Sequence, residues 1–263
     1  MTFDQLLAEW RAHGRAQQVP TGWTQGRATF GGLVAAMLYE KMAAHVDADA
    51  SLRSLTISFV GPVGSDAIDI SSTTLRAGRS VTQVEGHLRQ DDSVLLAGLA
   101  SFGKGRESNI HVATDRAPEF TGPDECEALP YIPGVVPEFT QKFDYRIARG
   151  QLPFSGSSDN HLGGWVRFKD GSNAPVTISH LLTLIDAWPP AILPMLRAPA
   201  PASSLAWTVE FIEPLPALKA DSWWQYLAEV EQAADGYGVI QARLWDADGR
   251  LVAFSRQTVT VFD

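Results

Sequence analysis

The chain has 263 residues, of which 45% are hydrophobic and 19% charged, a globular composition that excludes a disordered or fibrous protein. Its net charge of −9, with no dense basic stripe, excludes a protein that tracks nucleic acid; an anionic ligand must be drawn by a local basic pocket. The single cysteine, Cys126, excludes an intrachain disulfide and every CxxC metal or redox site, and points to a reduced, cytoplasmic setting.

The N-terminus, Met1 to Trp10, is an amphipathic start without the apolar core of a signal peptide, and no apolar run is long enough to span a bilayer. A soluble protein is expected. From Thr29 to Tyr39 apolar residues fall at Phe30, Leu33, Val34, Met37 and Leu38, which is one helix face, with Thr29 as its N-cap. Leu55–Phe59 alternates as a strand and ends at Pro62. Strands are expected near Ile68–Leu75, Val81–Leu88 and Val94–Phe102, the last after an Asp91-Asp92 turn. Periodicity then fades, and Pro118, Pro123, Pro130, Pro133 and Pro137 mark a linker over residues 106–138.

Residues 139–263 repeat the order of residues 1–105. Ile178, Leu181, Leu182 and Ile185 mark a second helix face, stopped by Pro189-Pro190. Leu205, Trp207, Val209 and Phe211 alternate as a strand that ends, like its first-half counterpart, in Phe-x-x-Pro. Val239–Trp245 and Leu251–Val261 form a hairpin across Asp246-Ala-Asp-Gly249, and Leu251-Val-Ala253 echoes Leu95-Leu-Ala97. A helix followed by consecutive strands, twice over, predicts an α+β fold with an antiparallel sheet curled round each helix.

Several chemistries are absent from the sequence. There is no G-x-S-x-G elbow, no H-E-x-x-H and no paired-His zinc spacing, so no metal or other cofactor is expected. Gly98 to Gly105 fits most of a phosphate loop, but Gly105 stands where Ser or Thr should hold Mg²⁺, and the stretch reads as a strand end. His180 sits on an otherwise apolar helix start and is best read as structural.

Three polar residues stand in apolar company. Asp186 follows Leu181-Leu-Thr-Leu-Ile185; a desolvated carboxylate there can activate a water, whereas the plainer reading is a solvated stripe with Ser179 and Thr183. Gln257 shares a strand face with Leu251, Ala253, Val259 and Val261, and its amide can both donate and accept; an edge-strand position explains it equally well. Ser204 opens a strand and is either a water-holding hydroxyl or a turn serine. Gly31-Gly32 leaves backbone N–H groups open at a helix start, for an oxyanion or for close packing against the sheet.

Together these stretches resemble one family. Phe30-Gly-Gly-Leu-Val-Ala-Ala36 is similar to the opening of the first hotdog helix in acyl-CoA thioesterase II proteins. Leu75-Arg-Ala-Gly78, Phe211-Ile-Glu-Pro214 and Leu251-Val-Ala-Phe-Ser-Arg-Gln257 match further motifs of that family in the same order. The resemblance implies a double hotdog, two tandem halves each with a helix wrapped by a curved antiparallel sheet. It implies hydrolysis of acyl-CoA to a free carboxylic acid and CoA, without a covalent intermediate. Its water-holding Asp, Thr/Ser and Gln fall on Asp186, Ser204 and Gln257, with Ser in place of the usual Thr. It also implies a homodimer. Trp188 and Trp207 are candidates for the acyl channel wall, and Arg76, Arg79, Lys104 or Arg106 for the CoA phosphates. A non-catalytic acyl-ligand binding protein on the same fold is the alternative. An enoyl-CoA hydratase is disfavoured, since no histidine has an Asp five residues before it.

Overall fold

The computed structural model describes residues 1–13, 18–170 and 173–262. In chain order its regular elements are α1 (Phe3–His13), β1 (Thr24–Gln25), β2 (Ala28–Thr29), α2 (Gly31–Ala43), β3 (Ala50–Phe59), β4 (Asp69–Ala77), β5 (Val81–Gln90), β6 (Ser93–Lys104) and β7 (Glu127–Ala128). There follow β8 (Phe143–Arg149), β9 (His161–Phe168), α3 (Ile178–Asp186), β10 (Ala202–Phe211), β11 (Trp224–Ala234), β12 (Tyr237–Trp245) and β13 (Leu251–Val261). Eleven strands form one antiparallel sheet in the order β4-β5-β6-β3-β10-β13-β12-β11-β9-β8-β7.

The first-half strands therefore hydrogen-bond directly to the second-half strands, through β3 and β10. Thr56 pairs with Thr208, and their hydroxyls lie 3.3 Å apart. Each threonine is three residues before the Phe of its Phe-x-x-Pro, so the repeat axis passes between them. Both strands also break register at matching places, between Leu52 and Ser54 and between Ser204 and Ala206. The register corrects one detail of the repeat. Phe59 pairs with Leu96 and Phe211 with Ala253, so Ala253 corresponds to Leu96 and not to Ala97. A one-residue slip would put the wrong face inward.

Helix α2 is apolar nearly all round and buried from Gly32 to Leu38, as a helix enclosed by a sheet must be. It packs against α3, also buried along almost its whole length. Leu33, Leu38, Leu181, Leu182 and Leu184 are wholly inaccessible, each contributing about 1.5–3 kcal/mol of burial free energy. The two helices run antiparallel. The start of α2 lies against Asp186 at the end of α3, and Glu40 near the end of α2 accepts a hydrogen bond from Ser179 near the start of α3.

Other local expectations need correction. Thr29 does not cap α2; Phe30 does, without a side-chain bond. Thr29 is tied into β2, opposite Thr24, and its N–H donates to Val63 O, so the chain turns helical only afterwards. Helix α1 and strands β8, β9 and β11 have no counterpart in the periodicity reading. Gly163-Gly164 interrupts the alternation of β9, and β11 ends in Glu-Gln-Ala-Ala. Gly98 to Lys104 lies within β6, as the strand-end reading required, and Lys104 is paired with Asp47 and Asp49. The proline-rich connection is docked along the second-half strands. Trp165 Nε1 donates to Thr121 O, Trp245 Nε1 donates to Asp115 O, and Ala117 N–H donates to Gly249 O.

Candidate active site

Asp186 is the last residue of α3, at the point where the sequence forbids another turn. A helical carbonyl accepts from the N–H four residues on, and those partners for Ile185 and Asp186 would be Pro189 and Pro190, which have none. The helix stops with the carboxylate facing the N-terminus of α2. A Cβ on Gly31 would stand 2.8 Å from Asp186 Oδ2, and one on Gly32 3.1 Å from Asp186 Cβ and 2.6 Å from the Phe30 ring. Both glycines are thus required by close approach, and the Gly32 N–H donates to the Asp186 carboxylate.

Strand β13 supplies the second partner. Gln257 Nε2 donates to Asp186 Oδ1 at 2.9 Å. On the inner face of β13, Leu251, Ala253, Ser255, Val259 and Val261 are buried, whereas Gln257 keeps solvent contact. Asp186 is likewise only partly exposed, and the apolar atoms packed round it dominate its ionisation. Desolvation raises its pKa to about 7, opposed by the bonds from Gln257 and Gly32. The positive end of α2 favours the carboxylate and the negative end of α3 disfavours it.

Ser204 lies on β10 opposite Val259, two residues along β13 from Gln257, with Gln257 opposite Trp207. Both pairs belong to the inner face, so Ser204 shares that face with Gln257. Its side chain is half-buried. Among the described residues its hydroxyl bonds to neither Asp186 nor Gln257. The fold therefore joins Asp186, Gln257 and the two glycines directly and sets Ser204 beside them. Trp207 is fully buried, its Nε1 donating to Ser255 Oγ at 2.9 Å. Trp188, also buried, stacks on Tyr226 with ring centres 5.3 Å apart. The periodicity reading singled out neither Tyr145 nor Tyr226, although the Asp186 charge acts on both.

The basic candidates lie elsewhere. Arg76 and Arg79 line an open depression at the β4–β5 turn, where Val81 pairs with Gly103 and Gly103 with Ser51 at the start of β3. Asp186 is near Phe59, at the other end of that strand, about 25 Å away at ~3.3 Å per residue. Arg106 lies just beyond the end of β6. His180 belongs to the scaffold. Its Nδ1 accepts from the Thr177 N–H at 3.2 Å, its Nε2 is 3.0 Å from Asp4 Oδ1, and it packs edge-on to Phe3 and Phe168. Among the described residues no cluster of His, Cys, Asp and Glu has the arrangement of a metal site. No helix among them is long and apolar enough to cross a membrane.

A carboxylate near neutrality, held by an amide at the junction of two helices and a sheet, is suited to accepting a proton from water. The whole chain resembles a hotdog-fold protein of unknown function from Alicyclobacillus acidocaldarius, at 23% identity and a TM-score of 0.84 over 95% of this chain and 94% of that one. It also resembles the tesB protein of Mycobacterium avium subsp. paratuberculosis (18%, TM-score 0.75, 98% and 100%) and the acyl-CoA thioesterase II TesB2 of Mycobacterium marinum (19%, TM-score 0.72, 95% and 96%). At these identities the likeness speaks for the double-hotdog α+β fold alone. No curated protein sequence matches the chain. Residues 19–103 match the acyl-CoA thioesterase N-terminal domain and residues 123–261 the C-terminal domain, so the chain belongs to the acyl-CoA thioesterase family.

Proposed function

We propose that the chain hydrolyses acyl-CoA thioesters to a free carboxylic acid and CoA, with Asp186 as general base. A water held by Asp186, Ser204 and Gln257 gives its proton to the carboxylate as its oxygen attacks the thioester carbon. Collapse of the tetrahedral intermediate breaks the C–S bond and releases the CoA thiolate. The observation that carries this reading is the 2.9 Å bond from Gln257 to a desolvated carboxylate whose pKa is raised to about 7. Such a base is largely ionised just above neutrality yet basic enough to take the proton. Because the Gly32 N–H is spent on Asp186, Gly31 is the member of the pair left to meet the oxyanion. Its N–H is at the first position of α2 and has no intrahelical acceptor.

We read the chain as two halves, 1–105 and 139–263, joined by residues 106–138, acting in cytoplasmic fatty-acyl metabolism as a homodimer. Light scattering of the purified protein tests the dimer. The test of function is CoA release from short, medium, long and aromatic acyl-CoAs, with wild type and Asp186→Asn side by side. Turnover of any member that collapses in the variant supports the hydrolase and its base. Binding of acyl-CoA without turnover would instead select the non-catalytic acyl-ligand protein.

A further inference from the structure

We infer that Tyr145, Trp188 and Tyr226 form a positioning clamp, anchored on the inner face of the second-half strands, that sets Asp186. This inference rests on the reading of Asp186 as the base. The short helix α3 ends at Asp186, just ahead of Pro189-Pro190, so no further helical turn holds the Asp186 backbone. The carbonyl of Ala187, the next residue, instead accepts a hydrogen bond from Tyr145 Oη at 3.0 Å, in the interior. Tyr145 comes from β8, five strands away from β10 in the sheet. Trp188 follows Ala187 and is gripped on two sides. Its ring stacks on Tyr226 of β11 at 5.3 Å with the planes 9° apart, and meets Tyr145 edge-on at 5.7 Å and 84°. Strands β8 and β11 both pair with β9, so the clamp stands on the two strands that flank β9.

A hydroxyl and two rings therefore fix the backbone on the C-terminal side of the base, while Gly32 and Gln257 fix its carboxylate. Tyr145 and Tyr226 contribute as neutral phenols, since burial raises both pKa values, with the Asp186 charge adding to the effect. They are the ionisable groups that face Asp186 from β8 and β11. On its other sides α2 presents Gly31 and Gly32, and β13 presents Gln257. Loosening the clamp would admit water to the carboxylate and lower its pKa towards the ordinary range.

The test uses the full chain as Tyr145→Phe, Tyr226→Leu and Tyr226→Phe, with two readouts. One is the pH profile of kcat on an acyl-CoA that the wild type turns over. The other is the titration of the Asp186 carboxyl by carbon NMR, identified by its loss in Asp186→Asn. In Tyr145→Phe, kcat falls about tenfold at pH 8 with KM within about twofold, and both titration midpoints move down by about half a unit or more. Tyr226→Leu, which loses the stack, moves in the same direction, and Tyr226→Phe, which keeps it, restores wild-type behaviour. Unchanged midpoints in Tyr145→Phe and Tyr226→Leu would overturn the clamp, whatever happened to thermal stability. Should Tyr145→Phe not fold, the two Tyr226 variants decide by the same criteria. Should no acyl-CoA be turned over, the hydrolase reading fails alone, and the NMR midpoints still decide for or against the clamp.

Discussion

Two carboxylates occupy near-symmetric places in this protein and meet different fates. Asp186 ends α3 and touches the first turn of α2; Glu40 is near the end of α2 and touches the first turn of α3. Around Asp186 the partners are the Gln257 amide, the Gly32 N–H and the side-chain-free surface of Gly31, with no cation among the described residues. Around Glu40 the partners are Ser179 and the Arg11 guanidinium, which grips both carboxylate oxygens from α1. The sheet differs in the same sense. The register places Ala100 where the second half has Gln257, and Leu52 where it has Ser204. A duplicated fold thus carries the polar set once. Where a cation neutralises the carboxylate it is a strut, and where only neutral donors meet it, it is poised to take a proton.

Asp186→Asn gives the sharpest test of that difference. The variant should lose roughly 10²–10⁴-fold in kcat, whereas Glu40→Gln should stay within about twofold. Wild-type kcat should rise through about pH 7 as Asp186 ionises and level off above it. The stability sign runs the other way. A carboxyl whose folded pKa is raised from 3.8 to about 7 destabilises the fold as pH climbs through that window. Asp186→Asn should therefore melt higher than wild type at pH 8, with the gain vanishing near pH 4.

Next in size is Gly32→Ala. Its Cβ would meet the Phe30 ring at 2.6 Å, so either the ring or α2 must shift, at a cost of about 1–3 kcal/mol. Activity should fall with it, because the Gly32 N–H leaves the carboxylate. Ser179→Ala, on the other side of the axis, should cost about 0.5–1.5 kcal/mol and leave kcat alone, checked by denaturant melts and CoA release. Gln257→Ala should lower kcat about tenfold and move the acid limb of the pH profile upward, since it removes a donor to the charged form. Installing Ala100→Gln should create no second site, because Arg11 still holds Glu40. Smallest of all, Arg11→Ala should cost about 1 kcal/mol or less at low salt, for the arginine is half-exposed.

The same axis shows why parts of the fold were legible and others were not. Helices α2 and α3 announce themselves because one apolar stripe repeats at helical spacing, and β3 and β10 because both alternate and end in Phe-x-x-Pro. Strand β9 did not, since Gly163-Gly164 erases its period-two signal while allowing close approach of neighbouring backbone. Tyr145 was invisible as the partner of Ala187, the residue after Asp186, because the two lie 42 positions apart and meet only in the tertiary structure.

The sequence by itself determined that Asp186, Gln257 and Gly31-Gly32 stand out, because a polar or side-chain-free residue in an apolar period must be explained by something. It also determined where α3 stops, because proline has no N–H to continue it. Only the tertiary structure decided which of these residues meet. It gave the Gly32 N–H to Asp186, made Ala100 rather than a polar residue the first-half counterpart of Gln257, and set Arg76 and Arg79 at the far end of β3. Those outcomes depend on the antiparallel crossing of two helices and the pairing of β3 with β10, contacts between distant segments that no local periodicity encodes.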